Sequence, residues 1–113
     1  DPAALAEIDA ILAVDGLDAV FIGRGDLTVA FGAPTRDALE VRDAVDTILR
    51  AAKKAGKPVC MMTDNGEESA GFAERGASAF ILSSDQGFLR KAASEALAQM
   101  QTARSRVENP GSR

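Results

Sequence analysis

The chain has 113 residues, 46% hydrophobic and 27% charged, with a net charge of −4 and neither Trp nor Tyr. That balance suits an ordinary globular fold and speaks against a nucleic-acid partner, which wants clustered Lys and Arg and aromatic stacking platforms. No apolar run approaches the roughly 20 residues of a membrane span, and the absence of His removes the commonest general base and zinc ligand.

Asp1-Pro2 reads as an N-cap followed by Pro at the first helical position. Leu5, Ile8, Ile11 and Leu12 then recur at helical spacing, and Asp15-Gly16 closes that helix. There is no basic leader, and without an initiator Met the chain reads as a fragment or processed piece. Leu17–Ile22 is a short apolar run, read as a buried strand. A loop of about a dozen residues is expected next, beginning at Gly23-Arg24-Gly25-Asp26.

Asp37 and Glu40 have the spacing of an N-cap and its N3 partner. Val41, Ala44, Val45, Ile48 and Ala52 trace one face of the helix that follows. Gly56 suits a left-handed helix end, and Pro58 prevents the helix from resuming. Val59–Met62 is the second strand, Asp64-Asn65-Gly66 a turn, and Glu67–Arg75 a short helix closing on Gly76. Ala79–Leu82 is the third strand. Ser84 or Asp85 caps a last helix carrying Phe88, Leu89, Ala92, Ala96, Leu97 and Met100, and a polar tail over 107–113 is expected to fray.

Strands alternating with helices predict an α/β fold with a parallel sheet and right-handed crossovers. Three strands leave two open edges. They suit part of a (β/α)8 barrel, which takes about 250 residues, slightly better than an open flavodoxin-like sheet. Either way, ligands belong at the carboxyl ends of the strands. Three acids fall there: Asp26, Asp64 and Asp85. Asp64 and Asp85 are accounted for by turn and capping needs. Asp26 has no helix nearby to cap, and Gly23 and Gly25 leave room for a ligand beside the backbone. It is either a ligand for a hard divalent cation or part of an ordinary tight turn. Arg24 is expected on the rim in water, with pairing to an anionic substrate as the alternative. The single Cys60 reads as a small buried hydrophobe and fits a reducing, cytoplasmic setting. Met61 and Met62 read as packing.

Leu17–Gly32 (LDAVFIGRGDLTVAFG) resembles a central motif of the HpcH/HpaI aldolase family. The likeness continues in order through Ala55-Gly-Lys-Pro-Val59 and Gly76–Arg90. These are class II, metal-dependent aldolases of the pyruvate/phosphoenolpyruvate-binding barrel superfamily. The resemblance implies a (β/α)8 TIM barrel, of which residues 1–106 form the C-terminal portion. It further implies that Asp26 is a metal ligand, for Mg²⁺, Mn²⁺ or Co²⁺, at the end of the sixth strand. Gly25 and Asp26 would also offer N–H groups to the carboxylate of bound pyruvate. The metal would act as a Lewis acid on the pyruvate enolate formed when a 4-hydroxy-2-oxo acid loses its aldehyde. Many members carry Pro in place of Arg24.

The family's partner Glu ligand, catalytic Arg and His-containing acid/base pair have no counterpart here, so no catalytic residue is assigned and the isolated chain is expected to be inactive. The resemblance also implies a homo-oligomer whose last helix packs across subunits. A pyruvate kinase and a citrate or citramalyl lyase are the related alternatives. A truncated, non-catalytic interaction module is the alternative of another class.

Overall fold

The computed structural model describes residues 2–108. Asp1, with its expected cap, and the 109–113 part of the expected tail lie outside them. The chain forms two compact units that divide between Leu82 and Ser83.

The first unit opens with two short helices, α1 (Pro2–Ala6) and α2 (Ile8–Leu12), in place of the single expected helix. The break is at Glu7, whose backbone (φ −103°, ψ 12°) leaves the helical region. Leu12 is buried, Leu5 and Ile8 pack against the core, and Ile11 is exposed.

β1 spans only Val20–Ile22, shorter than the expected Leu17–Ile22. Its ladder begins where the Val20 N–H donates to the Pro58 carbonyl at 2.9 Å. The Leu17 carbonyl is instead taken by Lys57 Nζ at 2.6 Å, and Pro58 has no N–H with which to extend the pairing backwards. β2 (Val59–Thr63) and β3 (Ala79–Leu82) follow the sequence reading closely. The sheet is parallel throughout, in the order β1-β2-β3.

The expected loop after β1 is a helix, α3 (Arg24–Phe31). It ends at Gly32 with φ 62°, where the Ala33 N–H reaches back to the Thr28 carbonyl at 2.9 Å. The long helix α4 (Leu39–Ala55) closes in the same way, at Gly56 with φ 67°. Its expected Asp37–Glu40 cap does not form. The N-cap is Ala38, without a side-chain bond, and the Asp37 carboxylate is drawn towards Arg24 instead. α5 (Gly66–Glu74) is capped by Asn65, whose Oδ1 accepts the Glu68 N–H at 2.9 Å.

The core lies between α4 and one face of the sheet. Val41, Val45, Ile48, Leu49 and Ala52 meet Ile22, Val59 and Met61, with Leu12 and Phe72 closing the sides. The strand register sets Phe21, Cys60, Met62 and Ile81 on the opposite face. Within this unit that face is open: Phe21, Met62 and Ile81 are exposed and Cys60 is half-buried. Met61 therefore packs as expected, whereas Met62 does not.

The second unit is α6 (Asp85–Glu108), which within itself buries no side chain. Ser84 caps it by accepting the Gly87 N–H at 3.1 Å. Among the described residues no helix is long and apolar enough to cross a membrane.

Candidate active site at the strand ends

Asp26 is the third residue of α3, with Gly23 at the N-cap. The expectation that no helix adjoins Asp26 is therefore corrected. A carboxylate in a first helical turn is favoured by the helix dipole, so local structure does account for an acid at this position. Yet the side chain is exposed, and it accepts no hydrogen bond and joins no ion pair among the described residues. The carboxylate folds back over Gly23, where a Cβ would stand 2.5 Å from Oδ2. Gly25 and Asp26, as second and third residues of α3, carry N–H groups without an intrahelical acceptor. One turn at the carboxyl end of β1 thus presents two unpaired amides and one free carboxylate.

A hard divalent cation takes one or two protein carboxylates and fills its remaining positions with water and substrate oxygen. Asp26 fits that donor chemistry as one such ligand. Among the described residues no group of three or more His, Cys, Asp or Glu side chains is placed to hold a metal ion, so Asp26 would be a contributor rather than a complete site.

Arg24, expected on the rim, is instead buried, with 8% of its surface exposed. Its Nη2 donates to Glu68 Oε1 at 2.6 Å and, more weakly, to the Met62 carbonyl at 3.4 Å. The guanidinium lies 4.9 Å from the centre of the Phe72 ring, and Asp37 stands 3.9 Å from Nη1. The second Glu68 oxygen, Oε2, accepts the Asp64 N–H at 2.7 Å. One carboxylate therefore ties the first turn of α3 to the β2–α5 turn.

Sequence reasoning passed over Glu68. Its signal was the Asn65-x-x-Glu68 spacing of a cap and its N3 acid.

Asp64 pairs with Arg36. The hydrogen bond from Arg36, more than any other influence, holds the Asp64 carboxyl below its ordinary range. Asp64 is thus a structural tie between two loops, in keeping with its expected turn role. Asp85 lies in the first turn of α6, where its Oδ1 accepts the neighbouring Gln86 N–H at 2.8 Å.

Parallel strands separated by helices, with a helix N-terminus and an exposed carboxylate at a strand's carboxyl end, form consecutive βα units, which carry ligands at that end in closed barrels and open sheets alike. Residues 2–92 match the HpcH/HpaI aldolase/citrate lyase family, and the chain belongs to that family. It is 36% identical over 86 residues to the 5-keto-4-deoxy-D-glucarate aldolase of Enterobacter sp. (strain 638), covering 75% of this chain and 34% of that one. A hydroxypyruvate/pyruvate aldolase of Sagittula stellata is 36% identical over 91 residues, covering 80% of this chain and 36% of the relative. The crystal structure of an HpcH/HpaI aldolase from Desulfitobacterium hafniense superposes with a TM-score of 0.76 at 30% identity, over 87% of this chain and 39% of that one. The chain thus spans about a third of the length of the curated relatives it matches. In a closed barrel of this kind, the face bearing Phe21, Cys60, Met62 and Ile81 turns inward, which accounts for apolar residues left open within one unit.

Proposed function

We propose that the whole protein is a divalent-metal-dependent aldolase that cleaves a 4-hydroxy-2-oxo acid to pyruvate and an aldehyde. This chain supplies part of its substrate and metal cradle. The observation that carries the reading is the first turn of α3, where the unpaired N–H groups of Gly25 and Asp26 adjoin the free Asp26 carboxylate. Amides at a helix N-terminus suit an anion, and a lone carboxylate suits a hard cation. A 2-oxo carboxylate together with a cation satisfies both at once. Further support comes from the relatives, whose names specify aldolases of a keto-deoxy sugar acid and of hydroxypyruvate and pyruvate.

In this reading the Gly25 and Asp26 amides orient the substrate carboxylate. The Asp26 carboxylate holds the cation, for which Mg²⁺, Mn²⁺ and Co²⁺ are the candidates. When bound, the cation supplies Lewis-acid stabilisation of charge developing on the keto oxygen. The chain contains no His, the commonest general acid and base. In this reading proton transfer at the aldehyde oxygen is assigned to groups outside it, and the isolated chain is expected to be inactive.

The test is pyruvate release from a 4-hydroxy-2-oxo acid by the whole protein, with Mn²⁺ and with chelator. Activity should require the metal and fall at least roughly a hundredfold in Asp26→Ala, since even a group that only orients a metal ligand is worth about 10–100-fold. Full metal-dependent activity in that variant would refute the role given to Asp26.

A further inference from the structure

The first turn of α3 has to hold its amides and its carboxylate in place to be of use, and the buried side chain of Arg24 anchors it. Among the described residues, the side-chain hydrogen bonds joining α3 to β2 and α5 all start at Arg24. We propose that Arg24 and Glu68 are positioning residues for the strand-end site, fixing the turn that carries Gly25 and Asp26 without touching substrate or metal themselves. This rests on the role of Asp26 and Gly25 proposed above and adds to it the groups that set their geometry.

A helix advances about 100° per residue, so Arg24 and Asp26 leave the first turn on roughly opposite sides. Arg24 is buried and meets β2 and α5, while Asp26 is exposed. Pulling on one side of a turn that is pinned on the other tilts it.

A buried guanidinium also has to keep a partner, because an unpaired buried charge is costly. Of its neighbours, Glu68 is much the closest acid, at 2.6 Å against 3.9 Å for Asp37. Both Glu68 oxygens face donors, namely Arg24 Nη2 and the Asp64 N–H. In Glu68→Gln the side-chain amide must turn its NH₂ towards one of them. The variant keeps the side-chain volume, yet breaks the tie.

The experiment measures Mn²⁺ affinity by titration, together with kcat and KM for pyruvate release, on the whole protein. The variants are Glu68→Gln, Arg24→Met, the double variant, Arg24→Lys and Asp26→Ala, each checked for folding. Glu68→Gln and Arg24→Met should each weaken Mn²⁺ binding about tenfold or more, the usual cost of losing a group that orients a ligand. KM should rise more than kcat falls, and the double variant should be no worse than the worse single one. Arg24→Lys, which keeps the charge, should recover part of the loss.

If folded Glu68→Gln and Arg24→Met bind Mn²⁺ and substrate as the unmodified protein does, Arg24 and Glu68 are a structural latch only and the proposal is overturned. If Asp26→Ala also leaves Mn²⁺ binding intact, it is the underlying reading of the site that fails. Loss in Asp26→Ala with no change in Glu68→Gln condemns the positioning role alone.

Discussion

The carboxylate of Asp26 lies against the backbone of Gly23, close enough that a Cβ at residue 23 would come within 2.5 Å of Oδ2. The glycine is needed for space rather than for backbone freedom, because its φ of −90° and ψ of 94° are open to any residue. Gly23→Ala should therefore cost little stability, about 0.5–1.5 kcal/mol, since only a side-chain end has to leave its rotamer. It should displace the Asp26 carboxylate all the same. The expected result is a loss of Mn²⁺ affinity out of proportion to the loss in Tm. In an Asp26→Ala background the stability cost of Gly23→Ala should vanish. A cost that persists there would mean that Gly23 serves something other than the carboxylate.

Leu49 is one of the largest fully buried side chains and sits on the α4 face that meets the sheet. Leu49→Ala removes its transfer free energy and leaves a cavity, for an expected loss of about 2–5 kcal/mol. Val29 on α3 is exposed, and Val29→Ala should stay within about 0.5 kcal/mol. Urea unfolding of both variants checks the layer assignment. Similar losses at the two positions would contradict the placement of the core.

Phe72 lies between two guanidinium groups, with Arg24 and Arg75 each 4.9 Å from its ring centre. Arg75 is also paired with Asp46 on α4, so the ring joins the buried end of the α5 contact to its exposed end. Phe72→Leu keeps an apolar side chain of similar bulk and removes both ring–cation contacts. An expected loss of about 1–2 kcal/mol follows, mostly from the Arg24 side, where the cation is desolvated. Double-mutant cycles with Arg24→Met and Arg75→Met separate the two contributions. Equal coupling at both would contradict the weight given to burial.

The parallel sheet was legible because its strands are short, apolar and bounded by Gly and Pro, as at Gly56, Pro58 and Gly76. The helix α3 was not. Glycine at position 25 costs roughly 1 kcal/mol of helix propensity, and Thr28 and Val29 are β-branched. The tertiary setting overrides those preferences: Leu27 reaches the core, and Gly32 supplies a left-handed end. Asp26 was singled out for lack of a helix to cap. It proves to lie in one, yet its exposure and its place beyond β1 keep it a candidate. Arg24 could not be placed from sequence, because its burial depends on Glu68 and Phe72, each more than forty positions away. Position 24 sits within the motif, but its role is set by contacts that no local spacing encodes.

The tie between Arg36 and Asp64 should show in the pH dependence of stability. The hydrogen bond from Arg36 lowers the Asp64 carboxyl below its ordinary value of 3.8. A carboxyl depressed in the folded state adds stability that is present above the unfolded value and is lost as pH falls through the folded one. The same contact raises Arg36, whose share would be lost only far above any working pH. Both side chains are about half exposed, so solvent screening holds the gain to no more than about 0.5 kcal/mol. The measurement is the difference in unfolding free energy between the unmodified protein and Arg36→Ala. At low salt it should be constant above about pH 5, then close as the medium is acidified below 3.8. Raising the salt to about 1 M should shrink it at every pH. A gap that persists unchanged at the acid end, or that ignores salt, would show that Arg36 acts through packing and not through the charge of Asp64.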